Sequence, residues 1–180
     1  MNNCIITAFY PFGNRNVNSS MEAVKKLDLD IRKEYLDVSY NKTPTEVIEL
    51  LKDHPDLLIL TGEAGARKYV SLEMVAINHM HASIPDNDNV LIQNKKICDG
   101  KEAYFSNINC YELNDYLKNK GFNTYVSLSA GSFICNLSYY TALKYVSDNN
   151  LKTKVLFIHF PIENNEHDSE LLKNVISFLL

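Results

Sequence analysis

Cys135, His159 and Glu73 can be combined into nucleophilic catalysis. Cys135 lies in Ser129-Ala130-Gly131-Ser132-Phe133-Ile134-Cys135-Asn136, where a strand gives way to a helix. A thiol one residue into a helix meets free N–H groups and the positive end of the helix dipole, which lower its pKa and favour the thiolate. The small residues ahead of it admit a substrate backbone and leave N–H groups free to hold an oxyanion. A buried cysteine beside a tight turn would explain the same stretch without chemistry. A thiol nucleophile also needs a base. His159 closes the apolar strand Val155-Leu156-Phe157-Ile158-His159, and sites collect at the carboxyl ends of strands in open α/β sheets. A third polar group usually orients such a pair. Glu73 is the candidate, a carboxylate in the otherwise apolar run Tyr69–Asn78. It is either solvated on an edge or buried with a partner.

The remaining reactive residues carry less. His54 and His167 read as surface residues beside helix ends. His79 and His81, two apart, could share one face of a strand, and a solvent-facing pair is expected in place of a metal site because no third ligand has a telling spacing. Cys4, Cys98 and Cys110 form no C-x-x-C pair with one another or with Cys135. They are expected to be free thiols, mostly buried. Gly62-Glu63-Ala64-Gly65-Ala66-Arg67 lacks the G-x-G-x-x-G spacing and the Lys-Ser/Thr of a phosphate loop, so its glycines are read as the turn after a strand.

The elements that must position these residues alternate along the chain. Strands are expected at Cys4–Phe9, Ile31–Val38, Asp56–Leu60, Asn123–Leu128 and Lys154–His159, with Val70–Met80 a weaker strand. Helices are expected at Ser19–Leu27, from Thr43 or Thr45 to Asp53, and over Lys101–Lys118, Ile134–Val146 and Asp168–Leu179. Ile84–Asn89 carries turn signals. Continuous apolar strands between amphipathic helices indicate an α/β fold: a three-layer α/β/α sandwich around a mostly parallel, mixed twisted sheet, in one domain spanning residues 1–180.

Composition narrows the partners. The 180 residues are 46% hydrophobic and 22% charged with a net charge of −4. No basic stripe points to nucleic acid, and no apolar run reaches the roughly 18 residues of a spanning helix. The start of the chain has no cationic segment ahead of its apolar stretch, so a cytoplasmic protein is expected.

Four separated segments together resemble the pyroglutamyl peptidase I (pyrrolidone-carboxylate peptidase) family of cysteine peptidases. Thr7-Ala8-Phe9-Tyr10-Pro11-Phe12-Gly13 with Asn18-Ser19 is similar to its N-terminal motif. Gly62–Arg67 followed by Ser71-Leu72-Glu73-Met74-Val75-Ala76-Ile77-Asn78 is similar to its glutamate motif. Ile84-Pro85-Asp86-Asn87, then Asp99-Gly100 and Ala103-Tyr104-Phe105, forms the third segment. Ser129–Asn136, with Phe157-Ile158-His159-Phe160-Pro161 downstream, resembles its cysteine and histidine motifs.

The resemblance implies Cys135 as nucleophile, His159 as general base and then acid, and Glu73 as the group orienting the imidazole. It implies that the Cys135 N–H helps hold the oxyanion, and that Phe9, Phe12, Asn18 and Ile84 bind the substrate ring. The reaction it implies is release of N-terminal pyroglutamate (5-oxoproline) from a peptide through a thioester. No cofactor or metal and a homo-oligomer, dimer or tetramer, are implied with it.

The chain departs from the family pattern in places. Ser83 stands where the family has an arginine thought to support the oxyanion, Met74 where a basic residue follows the glutamate, and Glu63 where many members are neutral. Ala8 and Asn14 replace glycines, and Ser19 replaces a proline. A lost charged donor costs on the order of 10² in rate, and Arg67 is a candidate replacement. The alternative expectation is a catalytically weak or inactive relative that binds a small amide or peptide ligand or a protein partner, or an amidase of different acyl specificity.

Overall fold

The structure, a computed structural model, describes residues 3–163 and 166–180. Met1 and Asn2, which begin the segment read above as lacking a cationic leader, lie outside the described residues, as do Asn164 and Asn165. Six strands form one sheet in the order β2 (Arg32–Leu36), β1 (Cys4–Phe9), β3 (Leu57–Glu63), β8 (Lys154–Phe160), β4 (Val70–Glu73) and β7 (Thr124–Ser127). Neighbours run parallel except at β4, which is antiparallel to β8. Helices α1 (Ser19–Lys25), α3 (Cys110–Asn119) and α5 (Asp168–Leu179) cover one face. Helices α2 (Thr43–Lys52) and α4 (Ile134–Asp148) cover the other. The fold is therefore the expected α/β sandwich with a mostly parallel, mixed sheet.

Successive strand residues point to opposite faces, so a strand covered on both sides must be apolar throughout. In β1, Cys4, Ile6 and Ala8 enter the α1/α3/α5 core while Ile5 and Phe9 enter the α2/α4 core. β3 divides in the same way: Leu57 and Ile59 pack on the first side and Leu58 and Leu60 on the second. In β8, Leu156, Ile158 and Phe160 face α1/α3/α5, and Val155 and Phe157 face α4.

Three stretches differ from expectation. β3 does not stop at Leu60 but runs through Gly62 to Glu63, paired along its length with β8. Val70–Met80 is not one strand. β4 ends at Glu73, and β5 (Val75–Ile77) belongs to a second, two-stranded sheet: the Met74 N–H still bonds Ser127 O of β7 at 2.8 Å, while the Met74 carbonyl accepts from Ser106 N at 2.8 Å. Lys101–Lys118 is not helical throughout. Its first part forms β6 (Ala103–Phe105), antiparallel to β5, and the helix starts only at Cys110.

Tertiary contacts override the helical period in that last stretch. Ser106 N donates to Met74 O at 2.8 Å. Asn107 then docks on the start of β8, donating to Thr153 O at 2.8 Å and accepting from Val155 N at 2.9 Å. Asn109 caps the helix by accepting from Glu112 N at 3.2 Å, which fixes its first turn.

Candidate active site

The two-residue period that builds the core also selects the site. In β4, Val70 and Leu72 face the α1/α3/α5 side, so Ser71 and Glu73 face α4. In β8, His159 follows Phe157 by two residues and shares its α4-facing side. The antiparallel register then sets Ser71 opposite His159 and Glu73 opposite Phe157. The polar residues interrupting two apolar strands thus converge: His159 Nδ1 lies 2.8 Å from Glu73 Oε1, and both side chains are essentially buried.

The nucleophile candidate reaches this pair from the helical layer. Gly131 turns with φ +82°, a left-handed conformation that glycine adopts without cost. The loop is pinned where His81 N donates to Ser132 O at 3.0 Å and Ser132 Oγ donates to His81 O at 2.7 Å. Phe133 is the N-cap of α4 and offers no side-chain cap, and the first helical hydrogen bond runs from Leu137 N to Phe133 O. The N–H groups of Ile134, Cys135 and Asn136 therefore have no partner within the helix.

Asn136 fixes the first turn against β5. It accepts from Ile77 N at 2.9 Å and donates to Ile77 O at 2.9 Å and His79 O at 3.0 Å. The Cys135 sulfur lies over Gly62, where a β-carbon would come within 2.7 Å of it. Gly62 is the register partner of His159. The glycine read from sequence as the turn after a strand leaves the space that the thiol occupies, on the register partner of His159.

The electrostatics reverse one expectation. Burial first, and then the Glu73 carboxylate, pushes the Cys135 thiol up to about 12, while the Arg67 guanidinium works against the rise. The desolvation cost of a thiolate exceeds what the helix N-terminus returns. Burial also lowers the His159 pKa, with Glu73 opposing and Arg67 assisting. Both shifts favour the uncharged thiol and imidazole over the ion pair.

Beside the thiol opens a cavity of about 320 Å³ with Phe9, Phe12, Val38 and Phe133 as its apolar walls. Phe12 packs against Phe133 with ring centroids 6.1 Å apart. Asn18 also lines it, although its carboxamide oxygen is spent capping α1 by accepting from Ser20 N at 3.0 Å. Phe133 and Val38 were missed as lining residues, because nothing in their spacing distinguishes a pocket wall from core.

Ile84 is not brought to this cavity. It is 44% exposed, and its segment is held elsewhere by the buried Asp86 carboxylate, which accepts from Tyr40 N at 2.8 Å and Val90 N at 2.8 Å. Ser83 in the same segment is exposed and outside the lining. Glu63 does line the cavity, and its charge is engaged: Oε1 lies 3.1 Å from Arg15 Nε and Oε2 accepts from Ser19 N at 2.7 Å. His79 and His81 stack at 6.5 Å, and among the described residues no cluster of three ligating side chains could hold a metal.

Arg67 had no definite place in the sequence reading beyond a possible oxyanion donor. Its Nη1 donates to Glu73 Oε1 and Ser71 Oγ, and its Nη2 donates to Ser129 O at 2.8 Å. The guanidinium is therefore committed to the carboxylate and to the loop ahead of the nucleophile. Together these groups provide a thiol, an oriented base, free N–H donors and an apolar recess, the parts needed for acyl transfer from an uncharged acyl group.

Known proteins are similar to this chain in sequence and in fold. The pyroglutamyl peptidase family profile matches residues 2–171. The pyrrolidone-carboxylate peptidase of Thermococcus kodakarensis is 34% identical over 169 residues, covering 90% of this chain and 82% of that protein. That of Brachyspira hyodysenteriae is 37% identical over 164 residues, covering 87% and 82%. Among solved structures, pyroglutamyl peptidase I from Bacillus amyloliquefaciens superposes with a TM-score of 0.89 at 30% identity, covering 96% of this chain and 93% of that one. A mutant pyrrolidone carboxyl peptidase from P. furiosus gives 0.90 at 27% identity, covering 98% and 97%. The chain belongs to the pyroglutamyl peptidase family of cysteine peptidases.

Proposed function

We propose that this chain removes N-terminal pyroglutamate from peptides, with Cys135 as nucleophile, His159 as base and acid, and Glu73 holding the imidazole. The flat, neutral lactam ring enters the recess between Phe9, Phe12, Val38 and Phe133, where its apolar faces are buried and no charge needs compensation. The Cys135 sulfur attacks the pyroglutamyl carbonyl carbon as its proton passes to His159. The raised thiol favours proton transfer to His159 in step with attack. The carbonyl oxygen becomes an oxyanion held by N–H groups at the start of α4. Collapse breaks the C–N bond, and His159 returns the proton to the departing amine of the peptide. A water molecule, deprotonated by His159, then attacks the thioester. Its collapse releases pyroglutamate, and His159 returns the proton to the thiol.

The observation that carries this reading is the buried 2.8 Å contact between Glu73 and His159 alongside a thiol seated on the glycine paired with that histidine. The test is hydrolysis of a pyroglutamyl-aminocoumarin by wild type and Cys135→Ala. Turnover by wild type that disappears in the variant is expected. Equal background rates in both would overturn the reading. The raised thiol favours a second reading, a relative that binds a pyroglutamyl ligand with little turnover. Tight binding of pyroglutamate by a wild type that cleaves nothing would select it.

The reading extends to a homo-oligomer in the cytoplasm. Free cysteines at all four positions fit a reducing compartment. Phe105 and Leu128, 64% and 63% exposed, offer apolar contact surface. Light scattering is expected to return a multiple of the chain mass, and a monomer at micromolar concentration would set the oligomer aside.

A further inference from the structure

The geometry points to Arg67 as the positioning residue of this site, a fork that holds Glu73 and the loop carrying the nucleophile in one register. This inference rests on the peptidase reading above. The three proposed catalytic side chains come from three elements. Glu73 and His159 are tied by the β4–β8 ladder, but Cys135 belongs to a helix in another layer.

Arg67 bridges the gap. Nη1 engages Glu73 and Ser71 on β4, and Nη2 reaches Ser129 O on the loop into α4. The side chain is 17% exposed and lies 6.0 Å from the Tyr125 ring of β7. A planar guanidinium meets two such acceptors at fixed spacing, whereas an ammonium is a point charge without a fork. Both ends of the fork are thus engaged, one on β4 and one on the loop into α4.

The fork also carries the counter-charge of Glu73. The titratable and charged groups facing the Glu73–His159 pair are Arg67 from the β3–β4 loop and Cys135 from α4, while Glu63 at the end of β3 acts on Cys135 and not on the pair. Behind them, the Tyr139 hydroxyl of α4 and the Cys110 thiol of α3 both reach Glu73 O, at 2.9 and 3.7 Å. Arg67 is the cation among these groups. It favours the neutral imidazole and opposes the rise of the Cys135 thiol. Removing it leaves a buried carboxylate that stabilises protonated His159, so the acidic limb of kcat/KM moves to higher pH.

The experiment compares wild type, Arg67→Met and Arg67→Lys on a pyroglutamyl-aminocoumarin across pH. Arg67→Met is expected to lose about 10²-fold in kcat, as a misplacement of about 1 Å can, with KM within about threefold and the acidic limb shifted upward. Arg67→Lys keeps the charge and loses the fork. Its limb is expected at the wild-type position while kcat stays at least about tenfold down. A kcat within threefold of wild type in the methionine variant would overturn the inference. So would a loss confined to KM, or full recovery of kcat by lysine. If the methionine variant does not fold, the lysine variant alone decides by its kcat. Absence of turnover in wild type is the failure of the peptidase reading. The pH profile of Cys135 alkylation by iodoacetamide then still tests the fork: it is expected to move upward in Arg67→Met, and an unmoved profile would refute the role.

Discussion

Gly62 shows how much a single missing atom determines. Its backbone is ordinary strand, so conformational freedom does not explain it. A β-carbon there would lie 2.7 Å from the Cys135 sulfur and 3.0 Å from Phe157 Cζ, both inside van der Waals contact. Neither neighbour can yield freely. Phe157 is fully buried, and Cys135 sits on a turn anchored by the three hydrogen bonds of Asn136. Gly62→Ala is therefore expected to displace the thiol from His159 and lower kcat by about 10²-fold with KM nearly unchanged. The overpacking is expected to cost about 1–3 kcal/mol of stability. Steady-state kinetics and a urea titration check both, and a kcat within threefold of wild type would show that the thiol needs no such seat. The sequence displayed this glycine but not its purpose, because a strand-breaking glycine and one facing a sulfur from another layer look alike until the layers are stacked. His159 and Glu73 stood out as candidates because each interrupts or closes an apolar strand, and Cys135 because it opens a helix behind small residues, but it is the family resemblance that joins the three.

Element legibility follows what stabilises each element. α5 reads from the sequence with its observed bounds, Asp168–Leu179, because one apolar face on the core fixes it. β1 reads equally well, since all six of its residues, Thr7 included, are buried between the two helical layers. The failures lie where a long-range partner decides. The stretch before Cys110 has helical period, yet β5 and the start of β8 claim its backbone through Ser106 and Asn107. Val70–Met80 is split at Met74, whose N–H bonds Ser127 of β7 while its carbonyl accepts from Ser106. That split matters for the site. β4 ends on Glu73, so the carboxylate sits at the last position of its strand. β5 is left free to receive Asn136 and hold the first turn of α4. The cavity wall at Val38 and Phe133 was not legible at all, because pocket and core use the same apolar residues.

At the scale of the whole molecule, the same close burial that raises the nucleophile recurs. Burial pushes the Cys4 thiol up to about 11 and raises Cys110 as well, while Cys135 reaches about 12. Burial also raises the Tyr139 and Tyr140 phenols. In the unfolded chain the thiols ionise near 8.5 and the phenols near 10. Between those values and the folded ones, the native protein holds protons that the unfolded chain has lost. Unfolding then releases protons, and stability must fall as pH rises. The sign is opposite at the acid end. His159 is lowered by burial, so the unfolded chain takes up a proton near 6.5 that the native site resists, and stability falls as pH drops below that point. Maximum stability is expected between about pH 7 and 8.5. Above about pH 9, each buried thiol contributes a loss of about 1.4 kcal/mol per pH unit until its folded value is reached. Urea midpoints measured in reductant from pH 5 to 10.5 check this. A midpoint that stays level from pH 8.5 to 10.5 would mean that the thiols ionise in place, and with them Cys135, so that the nucleophile would be available as a thiolate without its base.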